Sequence, residues 1–223
     1  MADCNLLSTI TTLTPLDTEV ERGRVAAKKA DAERELASAQ AKLDKARAAL
    51  AKDRADLAME EAEHKMDVAK ARVEASKAKL DKTSKSDIAY AAAKARHKTD
   101  EVELEVAEKK HSLAQAKHNE ADARLKVADA ELGVSQAKLT SSSTLDGSAQ
   151  KVIGAAESKL LGANEMLMLA RSEQGKAAGN LNAAETKLHD AKVQLKKTNN
   201  DTSQTLLTQA QANLAAFVKG QPQ

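Results

Sequence analysis

Large and small side chains recur with a seven-residue period over residues 153–198. A large residue occupies every seventh position, and a small one follows three positions later. In a helix, positions with this spacing form one seam, and small side chains let a partner helix approach closely. The pattern therefore predicts a long helix with one packing face. Its large positions are Ile153, Leu160, Leu167, Gln174, Leu181, Leu188 and Leu195, and its small ones are Ala156, Ala163, Ala170, Ala177, Ala184, Ala191 and Thr198.

The first predicted helix begins at Pro15 and carries two such series in succession. Thr14 before Pro15 is a typical helix start, because threonine caps free backbone N–H groups and proline suits the first helical position. The second series is displaced by two positions, which is about 200° around a helix. We therefore expect this helix to offer different faces along its length. The first series is Leu36, Leu43, Leu50 and Leu57, continued by His64, and the second is Met59, Met66, Val73 and Leu80.

The second predicted helix, at about 86–139, carries two such series that overlap along its length. The two series lie on nearly opposite faces of the helix. We therefore expect it to pack between two neighbours, with the third helix on one face and the first helix or another copy on the other. The first series is Tyr90, His97, Leu104, His111, His118, Leu125, Leu132 and Leu139, and the second is Val106, Leu113, Val127 and Val134.

Polar stretches separate these helical segments. They predict a turn near 83–86, where Ser84 and Asp87 can form a capping box, a loop at 141–148 and a further break at 199–202. Four glycines in the third helix either permit close backbone approach or make that helix less rigid. The expected organisation is an N-terminal docking segment at 1–14, a helical hairpin at 15–140, a loop at 141–148, a third long helix at 149–198, and a short C-terminal helix and tail at 199–223.

The fold class predicted from these patterns is all-α, with long antiparallel helices and Leu/Ala heptad seams in an elongated helical bundle or coiled coil. The composition agrees with it, because 30% of the residues are charged, 1% are aromatic and only two are proline. We expect the helix interfaces to be formed by Leu36, Leu43, Leu50, Leu57, Leu104, Leu125, Leu132, Leu139, Ile153, Leu160, Leu167, Leu181, Leu188 and Leu195.

Charge is nearly balanced, with 35 basic and 33 acidic residues. Residues 1–140 contain 26 of each, and residues 141–223 contain nine basic and seven acidic residues. Binding to nucleic acid or to an anionic membrane normally requires a concentrated positive patch. Neither part of the chain is a basic arm, so the sequence indicates no specific nucleic-acid site and gives membrane contact no support from charge.

The sequence indicates a protein of the cytoplasm, or one incorporated there into a larger assembly. The single cysteine, Cys4, excludes an internal disulfide and suits a reducing compartment. The N-terminus lacks the features of a secretory signal, and no segment approaches the ~20 apolar residues of a membrane span.

No motif in the sequence carries catalytic chemistry, so we expect no enzymatic activity, no cofactor and no metal. His64, His97, His111 and His118 fall at large-residue positions. Histidines seven apart lie about 10 Å apart along a helix, too far to share one metal ion. Imidazoles buried in a seam would charge near pH 6 and weaken it. The alternative is a partly exposed seam that tolerates polar groups. The first interpretation predicts loss of assembly or a lower melting temperature between pH 7 and pH 5.5.

The function favoured by the sequence is a non-enzymatic structural or assembly protein that forms an elongated homo-oligomeric scaffold, wall or tube. Its partners would be further copies of itself and other structural proteins. A narrower alternative is an internal virion component that forms a DNA-delivery conduit. Long antiparallel helices in a chain of this length also resemble BAR-type membrane-bending dimers, which implies membrane association. The Ala/Lys/Glu bias resembles that of late-embryogenesis-abundant proteins, although their repeat is eleven residues long.

Overall fold

The computed structural model of the chain describes residues 15–85, 87–141 and 147–219. In these residues three α-helices form and no strand is present: α1 (Pro15–Lys82), α2 (Ala89–Ser141) and α3 (Gly147–Lys219). The helices pack against each other, which confirms the predicted all-α fold of long helices. The expected N-terminal docking segment at 1–14, residues 142–146 of the expected loop and the last four residues lie outside the described part of the chain.

The polar stretch between α1 and α2 ends one helix and starts the next. At the end of α1, the Thr83 hydroxyl donates a hydrogen bond of 2.9 Å to the Lys79 carbonyl. At the start of α2, the Asp87 carboxylate accepts a hydrogen bond of 2.9 Å from the Ala89 N–H. Such a bond satisfies a backbone donor that has no partner inside the helix. Asp87, one of the two residues of the expected capping box, therefore caps α2 with its own side chain, and its N–H donates a hydrogen bond of 2.9 Å to the Ser84 carbonyl.

No break separates residues 199–202 from the rest of α3, which runs on to Lys219. The separate short helix expected at 199–223 is therefore wrong. The hydroxyls of Thr198, Thr202 and Thr205 donate to the carbonyls four residues earlier, at distances of 2.8–3.0 Å. These side chains bond to the helix's own backbone instead of competing with it. Without proline or glycine in this stretch, a modest loss of helix propensity does not end the helix.

The structure contains two compact units, and each holds parts of all three helices. The first consists of Met1–Ala46 and Ala128–Leu161. Its buried side chains are small: Ser38 and Ala41 on α1, and Ala128, Val134 and Ala137 on α2. An ion pair of 2.5 Å joins Lys45 of α1 to Asp129 of α2, and one of 3.6 Å joins Lys138 of α2 to Glu157 of α3.

The second unit consists of Arg47–Val127 and Gly162–Gln223. Ion pairs give the chain directions: α1 positions 52 and 72 meet α2 positions 122 and 103, so the two helices are antiparallel. Positions 105 and 120 of α2 likewise meet positions 187 and 171 of α3. In this unit α2 therefore contacts α1 on one side and α3 on the other.

The C-terminal part of α3 extends beyond the start of α2. The Thr99 hydroxyl lies 3.5 Å from the Ala191 carbonyl, which places Ala89, the first residue of α2, opposite a position about ten residues further along α3. From residue 203 to residue 213 every side chain of α3 is exposed. This part of the helix lacks a neighbour among the described residues of the unit.

The glycines of α3 do not mark close helix contacts. A Cβ atom placed on Gly154, Gly162, Gly175 or Gly179 would meet nothing within 4 Å. Close backbone approach within the described residues is therefore not the role of these four glycines, and a less rigid helix stays a prediction.

Candidate helix interfaces

The interface between α2 and α3 in the second unit is built from small side chains around one leucine. Ala123 of α2 packs with Leu167 and Ala170 of α3 in a buried cluster, and Val127 of α2 covers it. Further along α3, Ala184 has no exposed surface at all. Alanine at the contact brings two helix backbones close together, so that many backbone and Cβ atoms touch. This interface is therefore stabilised by close packing without a single large, fully buried side chain in the described residues.

Every position of the seven-residue series on α3 is buried or half-buried. Ala163, Leu167, Ala170 and Ala184 are buried, and the other series positions are half-buried. Residues between them are mostly exposed. Half-buried positions of the series include Ile153 and Leu160 in the first unit, and Gln174, Ala177, Leu181, Leu188, Ala191, Leu195 and Thr198 in the second.

Ion pairs run beside this interface. In the second unit Lys187 lies 2.7 Å from Glu105, Lys192 lies 3.0 Å from Glu103, and Lys110 lies 3.4 Å from Glu185. Partly exposed pairs of this kind each contribute about 0–1 kcal/mol. Their larger effect is on register, because a shift of α3 by one residue would separate all three pairs.

Glu120 was missed by the sequence reasoning. It occupies the position of the second α2 series between Leu113 and Val127, and it is 7% exposed. Arg124, one turn further along α2, donates to its Oε1 from 2.7 Å, and Arg171 of α3 donates to the same oxygen from 3.4 Å. A buried carboxylate requires such partners. The signal was present in the sequence, since a regular series of apolar residues skips one position at Glu120.

The interface between α1 and α2 in the second unit is more polar. Lys52 lies 3.8 Å from Asp122, and the imidazole of His118 lies against the Asp56 carboxylate. The contact with Asp56 is made through Nδ1 of His118, a buried atom that has no hydrogen-bond partner in the described residues. Near the end of the hairpin, the Ser76 hydroxyl lies 3.1 Å from Nδ1 of His97.

α1 meets α2 in both units through the frame of its second predicted series, so the leucine series does not face α2, and contact of that series with another neighbour stays a prediction. In the first unit Ser38 and Ala41 are buried and Lys45 pairs with Asp129 of α2, and in the second the seven-residue frame of Ser38 and Lys45 continues. Met59, Met66, Val73 and Leu80 are the later members of this frame, and Lys45 and Lys52 are earlier ones. The apolar pattern does not reveal this frame in the first half of α1, because two of its large-residue positions are lysines. Their side chains extend to aspartates on α2, where apolar side chains would be buried.

The two lysines on α1 and their aspartate partners on α2 have the same spacing in the sequence. Lys45 and Lys52 are seven residues apart, and so are Asp129 and Asp122, with which they pair in reverse order. Opposite charges at equal spacing on two predicted helices are typical of antiparallel pairing with charged flanks. Comparing charge spacing between the predicted helices would have found these four residues.

The electrostatic environment of Asp122 favours its charged form. A hydrogen bond from Lys126 lowers the pKa of this carboxyl, and partial burial opposes that effect. The charges of Lys126, Lys52 and His118 lower the pKa further. Asp122 therefore serves both α2 itself, through Lys126, and the contact with α1, through Lys52.

The leucine series of α1 lies outside the internal packing. Leu36 and Leu43 of the first unit are 70% and 46% exposed, and Leu50 and Leu57 of the second are 52% and 66% exposed. The physical reason is that the frame containing Lys45 and Lys52 occupies the side of α1 that faces α2. That these four leucines form a helix interface stays a prediction. Such an interface would join α1 to a neighbour other than α2.

The remaining predicted interface positions lie on α2. Leu104 and Leu125 of the second unit are half-buried, as are Leu132 and Leu139 of the first. They share the face of α2 that contains His97 and His118, and those two histidines contact α1.

The histidines occupy different environments. His64 is exposed, whereas His97, His111 and His118 are half-buried on α2. Nε2 of His97 lies 3.4 Å from the Glu101 carboxylate, and His118 lies beside that of Asp56. A charged imidazole at either position would therefore have a carboxylate neighbour, which opposes the destabilisation expected from burial alone.

Among residues 15–85, 87–141 and 147–219, no three His, Cys, Asp or Glu side chains are grouped so that they could hold a metal ion. No helix within these ranges is both long and apolar enough to cross a membrane. No family model, curated protein or solved structure matches the chain.

Proposed function

We propose that the chain is a non-enzymatic structural or assembly protein whose copies associate through their helices into an elongated scaffold, wall or tube. The observation that supports this function is the exposed leucine series of α1. Leu36, Leu43, Leu50 and Leu57 are spaced by seven, and each is about half exposed or more.

The spacing of these leucines carries more weight than their exposure. Single exposed leucines are common on protein surfaces and need no explanation. Four in a strict seven-residue series form the stripe that a partner helix covers. In the first unit, Ala39 and Ala46 follow Leu36 and Leu43 by three positions, as alanines do in the buried face of α3. A second copy of the chain offers helices with the same kind of face, so we propose self-association.

The interior of the chain supports a structural role. In the described residues its interfaces consist of alanine contacts and ion pairs that are repeated along the helices. Such a surface is suited to repeated lateral contacts between helices rather than to positioning one substrate.

Light scattering of the purified full chain tests the proposal, because it measures molar mass in solution. We expect a mass that is a multiple of 23.7 kDa at micromolar concentration. Replacement of Leu43 and Leu50 by glutamine should shift the mass toward that of one chain. Since both side chains are exposed, the helical content should stay unchanged.

A matched control replaces two leucines of α3, Leu161→Gln and Leu169→Gln, which are more exposed than Leu43 and Leu50 but do not belong to a seven-residue series with each other. This variant should keep the mass of the native protein. A monomeric native protein, or an equal loss of mass in both variants, would contradict self-association through α1.

Further measurements distinguish the scaffold proposal from two other functions predicted from the sequence. A virion component that forms a DNA-delivery conduit would assemble into tubes visible by electron microscopy. A BAR-like module would sediment with liposomes as a dimer. The scaffold proposal requires assembly in the absence of lipid.

A further inference from the structure

Positive charge is concentrated where α1 ends and α2 begins. Residues 70–98 contain nine lysines and arginines but only three acidic residues, although the whole chain has a formal charge of +2. Residues 191–200 of α3 add three lysines and no acidic residue. This excess is local, because other parts of residues 1–140 contain the acidic residues that balance it.

The fold brings the two basic segments together around one cavity in the second unit. The cavity has a volume of 870 Å³, within the range of small-molecule sites. Arg72 and Lys79 of α1, Arg96 of α2 and Lys192 of α3 line it. Alanines line much of the remaining wall, so the charged groups have room around them.

Two of these four cations are already held in position. Glu103 of α2 lies 3.0 Å from Lys192 and 3.7 Å from Arg72, so one carboxylate ties α3 and α1 to the cavity. In the described part of the chain Lys79 and Arg96 form neither an ion pair nor a side-chain hydrogen bond, and both are exposed. They are therefore available to a bound anion.

We propose that this cavity binds a compact polyanion that carries several phosphate groups. The guanidinium of Arg96 presents several N–H donors in a plane that matches phosphate oxygens, and Lys79 adds a mobile point charge. Arg72 and Lys192 contribute positive potential from the opposite sides of the cavity. The outer lysines of the same segments raise the local concentration of anions before binding.

The convergence of the cations favours a compact ligand over a polymer. Four basic side chains from three helices meet at one concave site, whereas a nucleic-acid backbone requires charges spread along a stripe. Asp100 and Glu103 set a limit on the affinity, because both residues also line the cavity and their carboxylates repel an anion. Asp100 as a whole residue is 7% exposed.

Calorimetric titration of the full chain with inorganic tripolyphosphate tests the proposal. Binding should weaken as salt is added, since it depends on charge. The variant Lys79→Gln/Arg96→Gln should lose affinity by about ten-fold or more, because it removes hydrogen bonds to a charged ligand. Asp100→Asn should bind more tightly than the native protein, because a repelling charge is removed.

The matched control is Lys85→Gln/Lys98→Gln, which removes the same charge from the same basic segment at residues that do not line the cavity. Its affinity should fall by roughly three-fold or less, as expected for surface charge alone. Circular dichroism shows whether each variant keeps its helices.

Three results would overturn the proposal. The native protein shows no binding, the two double variants lose affinity equally, or duplex DNA binds more tightly than tripolyphosphate at equal phosphate concentration. The last two results would indicate a spread basic surface in place of a ligand cavity.

Discussion

The two interfaces of α2 in the second unit are built on different principles. Towards α3, alanines surround Leu167 and exclude solvent, and Ala184 is completely covered. Towards α1, the contacts are polar: Lys52 of α1 pairs with Asp122, and His118 lies against Asp56 of α1. Close packing yields free energy at every contact atom, whereas partly exposed ion pairs yield little but oppose a shift in register. We infer that the α2–α3 interface supplies more of the stability, and the α1–α2 interface more of the alignment.

The largest effect is expected at Leu167, the only leucine of the buried cluster. Leu167→Ala should lower the free energy of unfolding by about 2–4 kcal/mol, because it removes apolar contacts and leaves a cavity between two helices. Urea titration followed by circular dichroism measures the change. Leu169→Ala, at an exposed position two residues away, should cost less than about 0.5 kcal/mol. Equal losses would show that α3 packs on another face.

The second-largest effect is expected at Ala184 and tests whether α2 and α3 approach closely there. Ala184→Leu should destabilise the protein by about 1–3 kcal/mol, because a larger side chain forces the backbones of α2 and α3 apart. The neighbouring Ala183→Leu is the control, because that position is exposed and the same substitution changes the helix propensity by the same amount. If Ala184→Leu melts at the temperature of the native protein, α2 and α3 do not approach closely at this point.

A smaller effect is expected from acid at the α1–α2 interface. A carboxyl whose pKa is lowered by folding contributes stability above its unfolded pKa, about 3.9, and loses it as the pH falls through the folded value. Asp122→Asn should therefore be less stable than the native protein at pH 6, by under about 1 kcal/mol because Asp122 is one-third exposed. The difference should close below pH 4 in urea titrations.

The control for this acid effect is Asp67→Asn, which removes a surface carboxylate paired with Lys70 on the same helix. It should cause a smaller difference than Asp122→Asn at pH 6. A difference for Asp122→Asn that persists at pH 3 would mean that the loss comes from packing rather than from charge.

The smallest effect concerns His118. Sequence alone predicts a lower melting temperature at pH 5.5 than at pH 7, but charged His118 would face Asp56 of α1 and Asp122 of its own helix, with Lys52 nearby. We therefore expect the native melting temperature to change little over this range. Asp56→Asn removes the closest compensating charge and should melt at a lower temperature at pH 5.5 than at pH 7. A large fall in the native protein would restore the sequence-based expectation.

The fold could be predicted from the sequence wherever the contact positions are apolar or small. In α3 the spacing of leucine and alanine identifies the positions that the structure buries. In α1 the leucines pointed to the wrong internal face, because the true contact frame carries Lys45 and Lys52. Hydrophobic periodicity detects burial only where burial is apolar.

Three further features required the three-dimensional structure. Thr198 and Thr202 look like helix breakers in the sequence, and only their bonds to the carbonyls four residues earlier show how the helix continues. Glu120 becomes explicable only when Arg171 arrives from another helix. The basic cavity likewise depends on α3 bringing Lys192 to residues that are about 100 positions away in the sequence.

The exposure of residues 203–213 of α3, which lack a neighbour among the described residues, has a consequence for local unfolding. Residues 203–213 are helical and exposed at every position, so their backbone hydrogen bonds depend on local interactions. An isolated helical segment of this length is marginal in water. Its amide hydrogens should therefore exchange with deuterium far sooner than those around Leu167 and Ala184, which open only when the helices separate. Protection of these residues on assembly would identify the end of α3 as a surface that another molecule covers.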